Sequence, residues 1–73
     1  MISLFNLEAM NNDWDSHTLV AVHAYEDWDN DKILYRGEWR DMPIKFGNLM
    51  VRAFGTADLC IYIELEPGEE NKL

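Results

Sequence analysis

One cysteine, Cys60, stands in a chain of 73 residues. No disulfide can close within it, so the staple on which many domains of this length depend is absent and the fold must rest on its apolar core unless a partner chain or ion adds to it. A second core could not be filled from what remains, and the chain therefore reads as one domain. Hydrophobic residues make up 48% of it and nine residues are aromatic, too many for a chain disordered throughout. A core this small leaves stability marginal. Self-association would add to it, and a homodimer joined through exposed strand edges is one expectation.

Charge is polarised along the chain. Glu8, Asp13, Asp15, Glu26, Asp27, Asp29 and Asp31 all precede Lys32, which is the first lysine or arginine, and the formal net charge is −8. Such a field repels nucleic acid and anionic membranes and draws in basic protein surfaces or cations. The start, Met1-Ile2-Ser3-Leu4-Phe5, lacks a basic flank and reaches Glu8 too soon for a signal sequence. Apolar runs stop at five residues, as in Leu59 to Ile63, far short of the roughly 20 that span a bilayer. A cytoplasmic location is the expectation.

Period and breakers outline the elements. Ser3 to Met10 predicts a short amphipathic helix capped by Ser3, with Leu4, Leu7 and either Phe5 or Met10 near one face, ended by Asn11-Asn12-Asp13. Residues 18 to 26 are apolar on both parities, as in a strand that is central or covered on both sides. After the acidic break at 27 to 31, Ile33, Tyr35 and Trp39 alternate with Arg36, Glu38 and Arg40, which predicts a half-buried strand paired back through a hairpin and ended at Asp41-Met42-Pro43. Residues 44 to 54 fit a helical stripe through Phe46, Leu49, Met50, Ala53 and Phe54, or a strand. Gly47-Asn48, a poor helix interior and a good turn, favours the strand. A turn from Gly55 to Asp58 would then lead into a last strand in which Leu59, Ile61, Ile63 and Leu65 alternate with Cys60, Tyr62 and Glu64. Residues 67 to 73 read as a flexible acidic tail. The expected fold is α+β, with a short N-terminal helix packed on a four-stranded, mainly antiparallel sheet, forming a single domain over residues 1–66.

Leu34-Tyr35-Arg36-Gly37, Asp41-Met42-Pro43 and the final alternating strand give the chain a resemblance to small uncharacterised acidic proteins of phages and mobile elements of Gram-positive gut bacteria, spanning roughly residues 3 to 65. That resemblance implies an accessory or inhibitor protein, anti-CRISPR proteins being among those of this size. It carries no catalytic residues over.

Three constellations bear on chemistry. Asp27 to Glu38 matches the EF-hand calcium loop at positions 1, 3, 5 and 12, through Asp27, Asp29, Asp31 and Glu38. Lys32 occupies the position that needs glycine, however, and a strand would carry Glu38 away, so a solvated hairpin is expected and calcium at Asp27, Asp29 and Asp31 is the alternative. Asp-Trp-Asp occurs at 13 to 15 and again at 27 to 29. With residues 16 to 26 extended, Asp15 and Asp27 would lie roughly 40 Å apart, as two patches. In each patch a tryptophan either covers the core or stands as an interface anchor among acids that steer a basic partner. The candidate partner-binding residues are thus Asp13, Trp14, Asp15, Glu26, Asp27, Trp28, Asp29 and Asp31. Third, Arg36, Arg40 and Arg52 fall where Glu38 and Glu64 can pair with them across strands.

His17 and His23 lie too far apart along a strand to share a metal, and Cys60 reads as an ordinary small side chain. With no phosphate loop, nucleophile motif or paired metal-ligand spacing, neither enzymatic activity nor a cofactor is expected. The function these features point to is an acidic binding or inhibitor protein, with DNA mimicry as one form of it, that occupies a basic surface of another protein, such as one that holds nucleic acid, without itself binding nucleic acid or membrane.

Overall fold

Ser3 starts the helix as its sequence suggests, its hydroxyl accepting the Asn6 backbone N–H at 3.2 Å while its own backbone stays extended. The computed structural model describes residues 2–11, 13–29 and 32–73. Its elements in chain order are strand β1 (Ile2–Ser3), helix α1 (Leu4–Ala9), and strands β2 (Leu19–His23), β3 (Tyr35–Glu38), β4 (Met50–Ala57) and β5 (Cys60–Leu65). Short 3-10 turns at Trp39–Asp41, Ile44–Asn48 and Glu69–Lys72 complete them.

The five strands form one mixed sheet in the order β1-β4-β5-β2-β3. The α+β class holds, with two differences from the expected sheet. Ile2 and Ser3 add a fifth strand on the outside of β4, and β2 runs parallel to β5, pairing Val20 with Ile61 and Val22 with Ile63. β2 lies between β5 and β3 and is therefore interior, which accounts for its apolar residues on both parities.

One face of the sheet carries Val20, Val22, Ile61, Ile63, Leu65 and Val51. It packs against Leu4 and Leu7 of α1 and against Phe46, Leu49, Met42 and Trp14 from the connections. Phe5 and Met10, the optional members of the helical stripe, remain exposed. Trp39 lies edge-on to Trp14 at 5.0 Å and to Phe5 at 6.2 Å. Gly47 is fixed by the Phe5 ring, because a Cβ at that position would fall 2.1 Å from its carbons.

Several boundaries move. The strand expected from residue 32 to 40 is cut to Tyr35–Glu38, and Trp39–Asp41 closes into a 3-10 turn. Residues 44 to 54 divide between a 3-10 turn and β4, which runs on through Gly55 to Ala57 where a turn was expected. The reversal falls instead at Asp58 and Leu59, both at positive φ (52° and 64°), a two-residue hairpin turn of the left-handed kind. Leu59 is therefore out of β5 and 95% exposed, while Ile61, Ile63 and Leu65 keep the buried parity.

The C-terminal residues are docked rather than standing in solvent. Pro67 and Gly68, the latter at φ 83°, reverse the chain, and the buried carboxylate of Glu69 accepts the Met50 N–H at 2.7 Å. Among the described residues no helix is long and apolar enough to cross a membrane.

Candidate functional site

The second face of the sheet alternates with the first, and among the described residues no helix lies over it. By register, His23, Glu64 and Ala53 form one row across it, Ala21, Tyr62 and Gly55 a second, and Leu19, Cys60 and Ala57 a third. Small residues on β4 leave a shallow trough there. With Trp28 and Tyr62, and with Phe54 and Thr56 along the β4 edge, where the register sets them opposite Ile63 and Ile61 of the first face, they line a groove of about 340 Å³ whose surface is mainly apolar.

Trp28 is placed by the loop after β2. There Glu26 takes a left-handed backbone (φ 57°), and its N–H donates to the Glu64 carboxylate at 2.7 Å. Two residues on, the Trp28 ring lies 4.6 Å from the ring of His23, which in turn lies 6.1 Å from Tyr62. Half of the Trp28 surface stays open to solvent, whereas His23 is fully enclosed. The Asp27 carbonyl lies 3.1 Å from His23 Nδ1 and can only accept, so Nδ1 carries the proton of that bond. Nε2 has no partner among the described residues.

Charges ring the groove unevenly. Glu26, Asp27 and Asp29 stand at its Trp28 end, where the Asp27 side chain accepts the Asp29 N–H at 3.4 Å. Arg52 enters the same face at a β-bulge in β4. It lies 3.7 Å from Glu64 and 5.2 Å over the Tyr25 ring, so the nearest base is already engaged. At the other end of β2, Glu38 holds His17 at 2.8 Å and Arg40 at 3.5 Å. The His17 hydrogen bond, aided by Arg40, keeps the Glu38 carboxyl below its usual range.

The two Asp-Trp-Asp segments differ in kind. Trp14 is 6% exposed and belongs to the core, which corrects its candidacy as a presented anchor. Asp13 and Asp15 beside it point outward, and the Asp15 carboxylate accepts the His17 N–H at 2.8 Å. Trp28 has the opposite character. The two acidic groups flank β2, whose five residues span only about 17 Å, so the separation of 40 Å expected for an extended 16–26 is too long in a molecule 28 Å in its longest dimension. Turns at Ser16-His17 and Tyr25-Glu26 shorten the run.

Asp31 lies outside the described residues. The remaining parts of the calcium-loop pattern are not brought together, because Asp27 follows the C-terminal end of β2 and Glu38 pairs with Leu19 at its start. His17 and His23 likewise sit at opposite ends of the strand. Cys60 is buried, and burial pushes its thiol up, opposed in part by Arg36. The groove's β4 wall was not legible as a site, since Ala53, Gly55 and Ala57 carry no chemistry of their own. Their spacing by two is the one signal in the sequence. No protein-family model matches the chain, and the searches found neither a curated protein nor a solved structure that matches it.

Proposed function

We propose that the chain is a non-enzymatic binding protein whose second sheet face receives a basic segment of a partner protein. Trp28 would act as the apolar anchor, with Glu26, Asp27 and Asp29 as the steering charges. The observation that carries this reading is the state of Trp28, half open to solvent over an enclosed histidine at the edge of an apolar groove. Tryptophan is costly to leave exposed and is enriched where binding energy concentrates, and a rim of acids beside it selects positively charged partners. The net charge of −8 extends that selection over longer range, and favours partner surfaces of the kind that hold nucleic acid.

Affinity capture from host extract at low and high salt would name the partner, and association kinetics with the purified partner would then test the reading. Charge reversal at Asp27 and Asp29 should slow association several-fold at low salt and much less at high salt. Trp28→Ala should speed dissociation and weaken binding by more than about 2 kcal/mol. A partner indifferent to both changes would overturn the proposal.

A further inference from the structure

Among the described residues, β4 is covered on its outer side only at its beginning. β1 pairs with Met50 and Val51, and among the described residues no strand lies beyond Ala53–Ala57, all of which are exposed. The hairpin to β5 closes on the pair Ala57↔Cys60, followed by Gly55↔Tyr62 and Ala53↔Glu64. In an antiparallel ladder hydrogen-bonded and open pairs alternate, so if these three pairs bond to β5, Phe54 and Thr56 direct their N–H and C=O groups outward. An open edge of this sort is a template for another strand.

Charge on this edge is arranged unlike the rest of the chain. Residues 53 to 57, Ala-Phe-Gly-Thr-Ala, are uncharged, with Arg52 before them and Asp58 after them. Asp58 makes no ion pair among the described residues. The segment is therefore neutral on a chain of −8, and its two ends are complementary to each other in reverse order.

We infer that two copies of this chain pair antiparallel through Ala53–Ala57 about a two-fold axis at Gly55, joining their sheets into one. That register sets Phe54 opposite the partner's Thr56, so the outward backbone groups of both meet. It also sets Ala53 opposite the partner's Ala57, and Arg52 opposite the partner's Asp58. A slip of one residue would face outward groups with inward ones. A slip of two residues in either direction places Arg52 opposite Thr56 or Cys60 and loses both charge pairs. The half-exposed Phe54 gains cover in the process. The five residues of that seam also line the groove beside Trp28, so the partner's β4 would extend the groove's wall, and the inference rests on the open edge and its charges rather than on what the groove binds.

Sedimentation equilibrium across micromolar to millimolar concentration should show a reversible dimer. Thr56→Pro removes an outward N–H and spares the bonds to β5, so it should leave the far-ultraviolet circular dichroism unchanged and weaken dimerisation at least tenfold. Asp58→Arg alone should weaken it several-fold at low salt and much less at high salt. Cysteine scanning reports the register without relying on the stability of any one variant. Gly55→Cys should form an oxidised dimer readily, whereas Ala53→Cys should cross-link to Ala57→Cys but not to itself. A chain that stays monomeric at millimolar concentration, a dimer unmoved by Thr56→Pro, or self-linkage of Ala53→Cys faster than that of Gly55→Cys would overturn the inference.

Discussion

The Glu64 carboxylate, on β5, accepts the backbone N–H of Glu26 at 2.7 Å, and together with the bond from His23 to the Asp27 carbonyl it ties the loop carrying Trp28 to the centre of the sheet. Glu64 is buried, and its other oxygen faces Arg52 at 3.7 Å. The carboxylate thus holds a left-handed residue on one side and a guanidinium on the other. A hydrogen bond to a charged acceptor contributes about 1.5–3 kcal/mol. Glu64→Ala should lower stability by that amount in urea denaturation. Glu64→Gln keeps an acceptor for the N–H and should cost less than half as much. Equal stability of all three proteins would show that the loop is held by other contacts.

At the hairpin tip, Leu59 adopts φ 64° with its side chain in solvent, so it bears a conformational penalty with no burial in return. A non-glycine residue in this region costs roughly 1–2 kcal/mol, and the turn type favours glycine at its second position. The added freedom of glycine in the unfolded chain offsets part of the relief. Leu59→Gly should accordingly raise stability by about 0.5–1 kcal/mol, read as an increase in Tm. A fall in Tm would mean that the Leu59 side chain makes contacts that outweigh the strain.

Glu69 gives folding an acid limb. Its carboxyl is held below the ordinary 4.5 by the Lys72 ammonium, 2.6 Å away, and by the Met50 N–H. A lowered pKa in the folded state means that the unfolded chain takes up the proton first. The contribution is complete above about 4.5 and disappears as pH falls through the lower folded value. Glu38, lowered chiefly by its His17 hydrogen bond, acts in the same direction. Thermal melts from pH 7 to pH 2 should therefore fall less steeply for Glu69→Gln than for the natural sequence once pH is below 4.5. Parallel curves would remove Glu69 from the account.

The elements most legible in the sequence are those in which local chemistry and burial agree. Ser3 supplies a cap three residues before Asn6, and Leu4 and Leu7 lie on the side that meets the core, so the helix follows from its own residues. Ile61, Ile63 and Leu65 alternate cleanly because one side of β5 is core. Period two names the face of a strand and not its neighbours, however, so nothing in Leu19–His23 discloses that it runs parallel to Cys60–Leu65. Gly55-Thr56-Ala57 has the composition of a turn because that part of β4 is exposed on the edge and packs little. Leu59 has the composition of a strand although the two-residue turn claims it. The docking of Glu69 onto Met50 spans 19 positions and leaves no local mark.

Trp14 and Trp28 share the same flanking acids and should respond in opposite ways to truncation. Trp14 is enclosed by the core and lies 5.0 Å from Trp39, so Trp14→Ala opens a cavity worth about 3–5 kcal/mol, a large fraction of the stability of a domain this size. Trp28 keeps half of its surface in water and touches the sheet mainly through His23. Trp28→Ala removes less buried area and leaves the core intact, so it should cost no more than about 1–1.5 kcal/mol of folding at roughly 25 cal/mol per Å². Equilibrium urea denaturation separates the two, with unfolding at much lower denaturant for Trp14→Ala. If Trp28→Ala unfolds as readily, the indole is holding the loop and His23 in place, its exposed half is incidental, and the groove loses its anchor.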